Sequence, residues 1–81
     1  MIVKIALFAS ARDVFGGREI ELELSPAATV ADLKRELIEQ YPEARDLVSR
    51  SAVSVDREFS MDATTLDQNS EVALIPPVSG G

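Results

Sequence analysis

The order of apolar patterns along this chain predicts an α+β fold, a mixed sheet of four to five strands with one main helix packed on one face. Three observations lead there. Residues 19–24 alternate strictly between glutamate and aliphatic side chains. Residues 30–41 place apolar side chains at helical spacing behind a capping sequence. Residues 71–75 are apolar at nearly every position, as in a central strand. The chain has 81 residues, which is one domain, and a domain of that size buries only about 60–65% of the surface its unfolded chain exposes.

Taken in order, residues 2–9 read as the first strand, with Val3, Ile5, Leu7 and Ala9 on one face and Lys4, Ala6 and Phe8 on the other. Phe8 on the less apolar face is either packed under a neighbouring segment or a binding anchor. Ser10–Phe15 fits a helical turn ended by Gly16-Gly17. Ile20, Leu22 and Leu24 then point inward, while Glu19, Glu21 and Glu23 form a charged outer face that protects an edge strand. Ser25-Pro26 breaks that strand, Thr29 caps the main helix, and Asp32 completes a variant of the capping box. Val30, Leu33, Leu37, Ile38 and Tyr41 make the helix's core stripe, and Pro42 stops it.

A short helical turn around Leu47 and Val48 follows. Ser51–Val55 reads as the third strand, Asp56-Arg57-Glu58 as its turn, and Phe59 and Met61 as a short fourth strand. Asp67-Gln68-Asn69-Ser70 supplies turn residues, with Asn69 suited to positive φ. In the last strand, Glu71–Ile75, Val72 and Leu74 share one face, and Ala73 and Ile75 the other. Parallel pairing of the last strand with the first brings Phe8 and Ile75 together on one face, beside the exit of the C-terminal segment.

Composition removes several function classes. With 14 acidic and 8 basic residues the formal charge is −6, the wrong sign for phosphate contact, so nucleic-acid binding is not expected. The acidic surplus fits either simple solubility or a basic partner surface. No cysteine or histidine is present, which removes a thiolate nucleophile, sulfur ligands for zinc and the commonest general base. Neither a charged start followed by a long apolar run nor an 18-residue apolar stretch occurs, so a cytoplasmic protein with no membrane contact is expected. An enzyme acting alone is not.

The chemistry is expected at Pro76-Pro77-Val78-Ser79-Gly80-Gly81. Prolines end a strand and direct the chain outward. Two glycines leave thin backbone with no side chain to obstruct approach. The organisation read from this is a domain over residues 1–76 and a protruding tail over residues 77–81. A carboxylate is a poor electrophile at neutral pH and needs activation by another enzyme before it reacts. The competing reading is a frayed, inert terminus.

Together, Lys4-Ile5-Ala6-Leu7-Phe8-Ala9, Ala11-Arg12-Asp13, Thr29-Val30-Ala31-Asp32-Leu33 and Glu71 through Gly81 resemble the ubiquitin-like β-grasp superfamily. Within it, the match is to the sulfur-carrier branch, and best to the small-subunit family of molybdopterin synthase. The resemblance implies that a ubiquitin-activating-like adenylyltransferase uses ATP to adenylate the Gly81 carboxylate and that a sulfur donor converts it to a thiocarboxylate. The tail would then enter a larger catalytic subunit, in a heterotetramer, and donate sulfur to cyclic pyranopterin monophosphate for molybdenum cofactor biosynthesis. It further implies that Gly80 gives access to Gly81. Phe8, Arg12, Phe59 and Ile75 would form the partner-binding face, and Pro76, Pro77, Val78 and Ser79 would lead into the channel. No cofactor or metal is implied for this chain itself. The chain departs from the family at Ala52-Val53-Ser54, where Ala-Val-Asn is usual, and at Asp67-Gln68-Asn69-Ser70, where Asp-Gly-Asp is common. Alternatives are a carrier for thiamine, cysteine or tRNA thiolation, a protein modifier joined to lysines through Gly81, and an interaction domain with an inert tail.

Overall fold

Alternation in β1 (Ile2–Leu7) sends Val3, Ile5 and Leu7 into the core, each exposed by 1% or less. The computed structural model describes residues 1–77, so the roles expected for Val78, Ser79, Gly80 and Gly81 lie outside the described residues. After β1 the chain forms α1 (Ser10–Phe15), β2 (Glu19–Glu23), α2 (Val30–Gln40), a 3-10 turn (Pro42–Ala44), α3 (Arg45–Arg50), β3 (Ala52–Val55), β4 (Glu58–Phe59) and β5 (Val72–Ile75). The strands make one mixed sheet in the order β2-β1-β5-β3-β4. β1 and β5 run parallel, and the other neighbours are antiparallel. The expected α+β, ubiquitin-like β-grasp architecture is therefore present, with the doubly apolar β5 at the centre.

The main helix covers one face of this sheet. Leu33 and Leu37 of α2 are fully buried with Val30, and they share a core with Ile5, Leu7, Leu22, Val53 and Leu74. The N-terminus of α2 carries the expected capping box: the Asp32 backbone N–H donates to Thr29 Oγ1 at 3.3 Å, and the Thr29 backbone N–H donates to Asp32 Oδ2 at 2.9 Å. That Thr29 backbone bond, followed by hydrogen bonds from Arg35 and the Thr29 hydroxyl, holds the Asp32 carboxyl below its ordinary value of 3.8. The next two amides, which no helical carbonyl can reach, donate to the loop before β5: Val30 N–H to the Thr64 carbonyl at 2.9 Å and Ala31 N–H to the Asp62 carbonyl at 3.0 Å. Leu66, 1% exposed, fixes the same loop into the core. The long connection into β5 is thus fastened to the helix start.

Several boundaries differ from the sequence reading. The first strand stops at Leu7, because Ala9 turns to φ 50° and the Phe8 carbonyl accepts from the Ala11 N–H at 3.0 Å; Ala9 is exposed, not in the core. Ser10–Phe15 is a six-residue helix ended by Gly16 at φ 80°. Tyr41 is the C-cap of α2, half-buried, with its ring edge-to-face on Phe15 at 4.8 Å. The fourth strand holds only Glu58 and Phe59, leaving Met61 outside it and 79% exposed. Asn69 is not among the positive-φ residues; its N–H donates to Asp67 Oδ1 at 2.7 Å, so an Asx turn replaces the left-handed conformation. Positive φ falls instead at Asp56 and Arg57, the two-residue loop of the β3–β4 hairpin.

Candidate functional site

The face of the sheet opposite α2 carries the residues singled out in the sequence. Registers place Ala6, Ala73 and Ser54 in one row across β1, β5 and β3, and Phe59 extends that row onto β4 opposite Ser54. Small side chains in the middle of an uncovered sheet leave a low floor, and the larger residues around them stand above it. The result is a hollow of ≈ 280 Å³ lined by Ala6, Phe8, Ser54, Arg57, Ala73 and Ile75, among others.

Phe8 and Ile75 therefore meet at one hollow, as the parallel pairing of β1 with β5 predicts. Phe8 is 43% exposed and Ile75 half-buried, so both present apolar surface, Phe8 directly after β1 and Ile75 at the end of β5. Arg12 reaches back from α1: its Nε–H donates to the Leu7 carbonyl at 3.0 Å, and its guanidinium carbon lies 5.8 Å from the centre of the Phe8 ring. Phe59 lies on the same face but at the far edge, 76% exposed and outside the hollow. Pro76 is buried where β5 ends, and Pro77 is exposed. Pro76 and Pro77 thus follow β5 at the same end of the sheet that holds Phe8 and Ile75.

Charge is divided across this face. On the β2 side, Glu19 and Glu21 stand opposite Ala6 and Lys4, and a second hollow of ≈ 390 Å³ runs between Ile2, Lys4, Glu19 and Glu71. On the β3–β4 side, Arg57 sits at the rim of the first hollow, with its Nε 3.4 Å from Glu71 Oε2. Sequence reading missed Arg57, Glu71 and the small floor of Ala6, Ser54 and Ala73. Alternation did place Ala6 and Ala73 outward, and the signal available was their small size beside aromatic neighbours. Among the described residues, no group of three or more carboxylate, histidine or cysteine side chains could hold a metal ion. No helix among them is long and apolar enough to cross a membrane.

Known proteins share both the sequence and the shape. The ThiS family model matches residues 5–81. The molybdopterin synthase sulfur carrier subunit of Dictyostelium discoideum is 37% identical, over 96% of this chain and 94% of that protein. The protein of the same name from Chlamydomonas reinhardtii is 32% identical, with both chains covered in full. Among solved structures, SAMP1 of Haloferax volcanii, a small archaeal modifier protein, superposes with a TM-score of 0.86 at 27% identity, covering 100% of each chain. A sheet whose open face surrounds the exit of its last strand, matched end to end by these proteins, places this chain in the ThiS family, in the group of the molybdopterin synthase sulfur carrier subunits.

Proposed function

We propose that this chain is the sulfur carrier subunit of a molybdopterin synthase and that Gly81 is the residue that carries the sulfur. The observation that supports this most is the end-to-end match with the Chlamydomonas reinhardtii sulfur carrier subunit, together with a family match that runs through Gly80 and Gly81. A Gly81 carboxylate oxygen attacks the α-phosphorus of ATP on an activating adenylyltransferase, and pyrophosphate leaves. Hydrosulfide supplied by the sulfur donor then attacks the activated carbonyl carbon, loses its proton, and AMP leaves. The thiocarboxylate so formed delivers its sulfur to cyclic pyranopterin monophosphate inside a larger catalytic subunit; water cleaves the acyl C–S bond and restores the Gly81 carboxylate. The open face with Phe8, Ile75 and Phe59 grips that subunit, while Pro76 anchors the root of the tail and Pro77 begins its exit. ATP is used by the activating partner, and this chain contributes no catalytic side chain of its own.

The likeness to SAMP1 supports a second reading, a modifier joined through Gly81 to lysines of other proteins. One experiment separates the two. The chain is incubated with ATP, an activating enzyme and a sulfur source, and its intact mass is measured. Replacement of one oxygen by sulfur at the C-terminus is expected. Lysine adducts without that product would favour the modifier, and no change with competent activating partners would refute both. Removal of Gly81 should abolish the mass gain and leave the thermal transition in place.

A further inference from the structure

The hairpin joining β3 to β4 turns through two residues, Asp56 at φ 53° and Arg57 at φ 69°. A turn of this type favours asparagine followed by glycine, because both positions are left-handed. Asp56 meets that demand and has work inside the domain. Its carboxylate accepts the Glu71 N–H at 2.9 Å, and its own N–H donates to the Glu71 carbonyl at 2.8 Å, which fixes the start of β5. Among the described residues, Arg57 makes no comparable internal contact. Its one ion pair among the described residues, with Glu71 at 3.4 Å, joins side chains that are 87% and 67% exposed, and such pairs contribute little to folding. The other non-glycine residues at positive φ among the described residues, Ala9 and Ala27, bear no functional group. Among the described residues, Arg57 alone combines a left-handed backbone and a long charged side chain with a place at the rim of the hollow formed by Phe8 and Ile75.

Building on the sulfur-carrier reading, we infer that Arg57 is a partner-contacting residue whose guanidinium meets a carboxylate on the larger subunit at the rim of this hollow. Among the described residues the guanidinium makes only the long contact to Glu71, and its remaining donors suit a bidentate carboxylate. The strained turn holds that group beside the apolar surface the partner covers, so its charge is desolvated on binding and contributes to choice of partner.

The test uses the full chain and the large molybdopterin synthase subunit of the same source, with affinity measured by calorimetry and stability by thermal unfolding. Arg57→Gly and Arg57→Asn relieve the left-handed strain, so each is expected to raise Tm by about 4 °C. Each is also expected to weaken binding about tenfold and flatten its salt dependence. Arg57→Lys keeps the charge and is expected to stay within about threefold of the original affinity. The inference is overturned if Arg57→Gly and Arg57→Asn bind as tightly as the unaltered chain, or if they lower Tm and so reveal a structural role. Failure of the unaltered chain to bind would instead remove the sulfur-carrier reading itself, and this inference with it.

Discussion

Phe59→Ala offers the cleanest separation of the handle from the fold. Phe59 is 76% exposed on a two-residue edge strand. A phenylalanine presents roughly 200 Å² of surface, so on the order of 150 Å² remains for a partner to cover. At about 25 cal/mol per Å², covering half of that contributes about 2 kcal/mol to binding, or roughly thirtyfold in Kd. The surface already covered by the domain is about 50 Å², which limits the folding loss to about 1 kcal/mol and the Tm shift to about 6 °C. Urea unfolding of the free chain measures the folding loss, and calorimetric titration against the large subunit measures the binding loss. A variant that loses more than about 2 kcal/mol of stability while binding normally would show that Phe59 belongs to the fold.

Other expectations follow from the same geometry. Phe8→Ala should reach both properties, since Phe8 is 43% exposed and already lies beneath the Arg12 guanidinium; a double variant with Arg12→Ala should show the two effects to be non-additive in titrations. Leu74→Ala, at a fully buried position of the central strand, should cost about 2–5 kcal/mol in urea unfolding and leave any residual folded chain able to bind. Gly16→Ala meets no atom within 4 Å, so its expected loss of about 1 kcal/mol, read as a lower Tm, comes from φ 80° alone. Asp32→Asn should lower Tm at neutral pH. The Asp32 carboxyl is held below its ordinary value of 3.8 in the folded state, so its contribution is complete above that value and disappears as pH falls through the depressed one; the gap in Tm between the two proteins should close there.

Much of this arrangement was legible because two periodicities did not conflict. The alternating glutamates of residues 19–23 marked an edge strand, and the doubly apolar Val72–Ile75 marked a central one. Those two assignments with the Thr29–Asp32 cap were enough to place Phe8 and Ile75 on one face. What escaped was set by tertiary contact. The helical turn expected over Ser10–Phe15 is present, but it lacks a capping side chain and has only one fully buried residue, Ala11, so packing and the Arg12 bond to the Leu7 carbonyl support it beyond any local pattern. The loop that spans Ser60–Glu71 is ordered by hydrogen bonds to the first turn of α2, which no local pattern announces. Arg57 at positive φ ran against propensity, and its turn was recognised only as a turn.

The division of labour across the sheet explains how one small domain keeps its stability apart from its reactivity. Side chains at 0–3% exposure in β1, β3 and β5 face α2, whereas the opposite face is floored by Ala6, Ser54 and Ala73, which contribute little buried apolar area of their own. Changes on the open face therefore act mainly on association, and changes beneath it mainly on folding. The parallel pair β1–β5 joins the two, because the strand that carries Leu74 into the core also carries Ile75 to the hollow and Pro76 to the root of the tail. On the proposed function, a partner that grips Phe8 and Ile75 would also hold Pro76 and Pro77, from which the C-terminal residues continue. If that coupling operates, inserting two glycines between Pro77 and Val78 should leave affinity for the large subunit within about threefold and yet slow sulfur delivery at least tenfold, since a misplaced reacting atom loses the benefit of orientation. Equal delivery by the lengthened tail would show that the grip on the open face and the placement of the reactive end are independent.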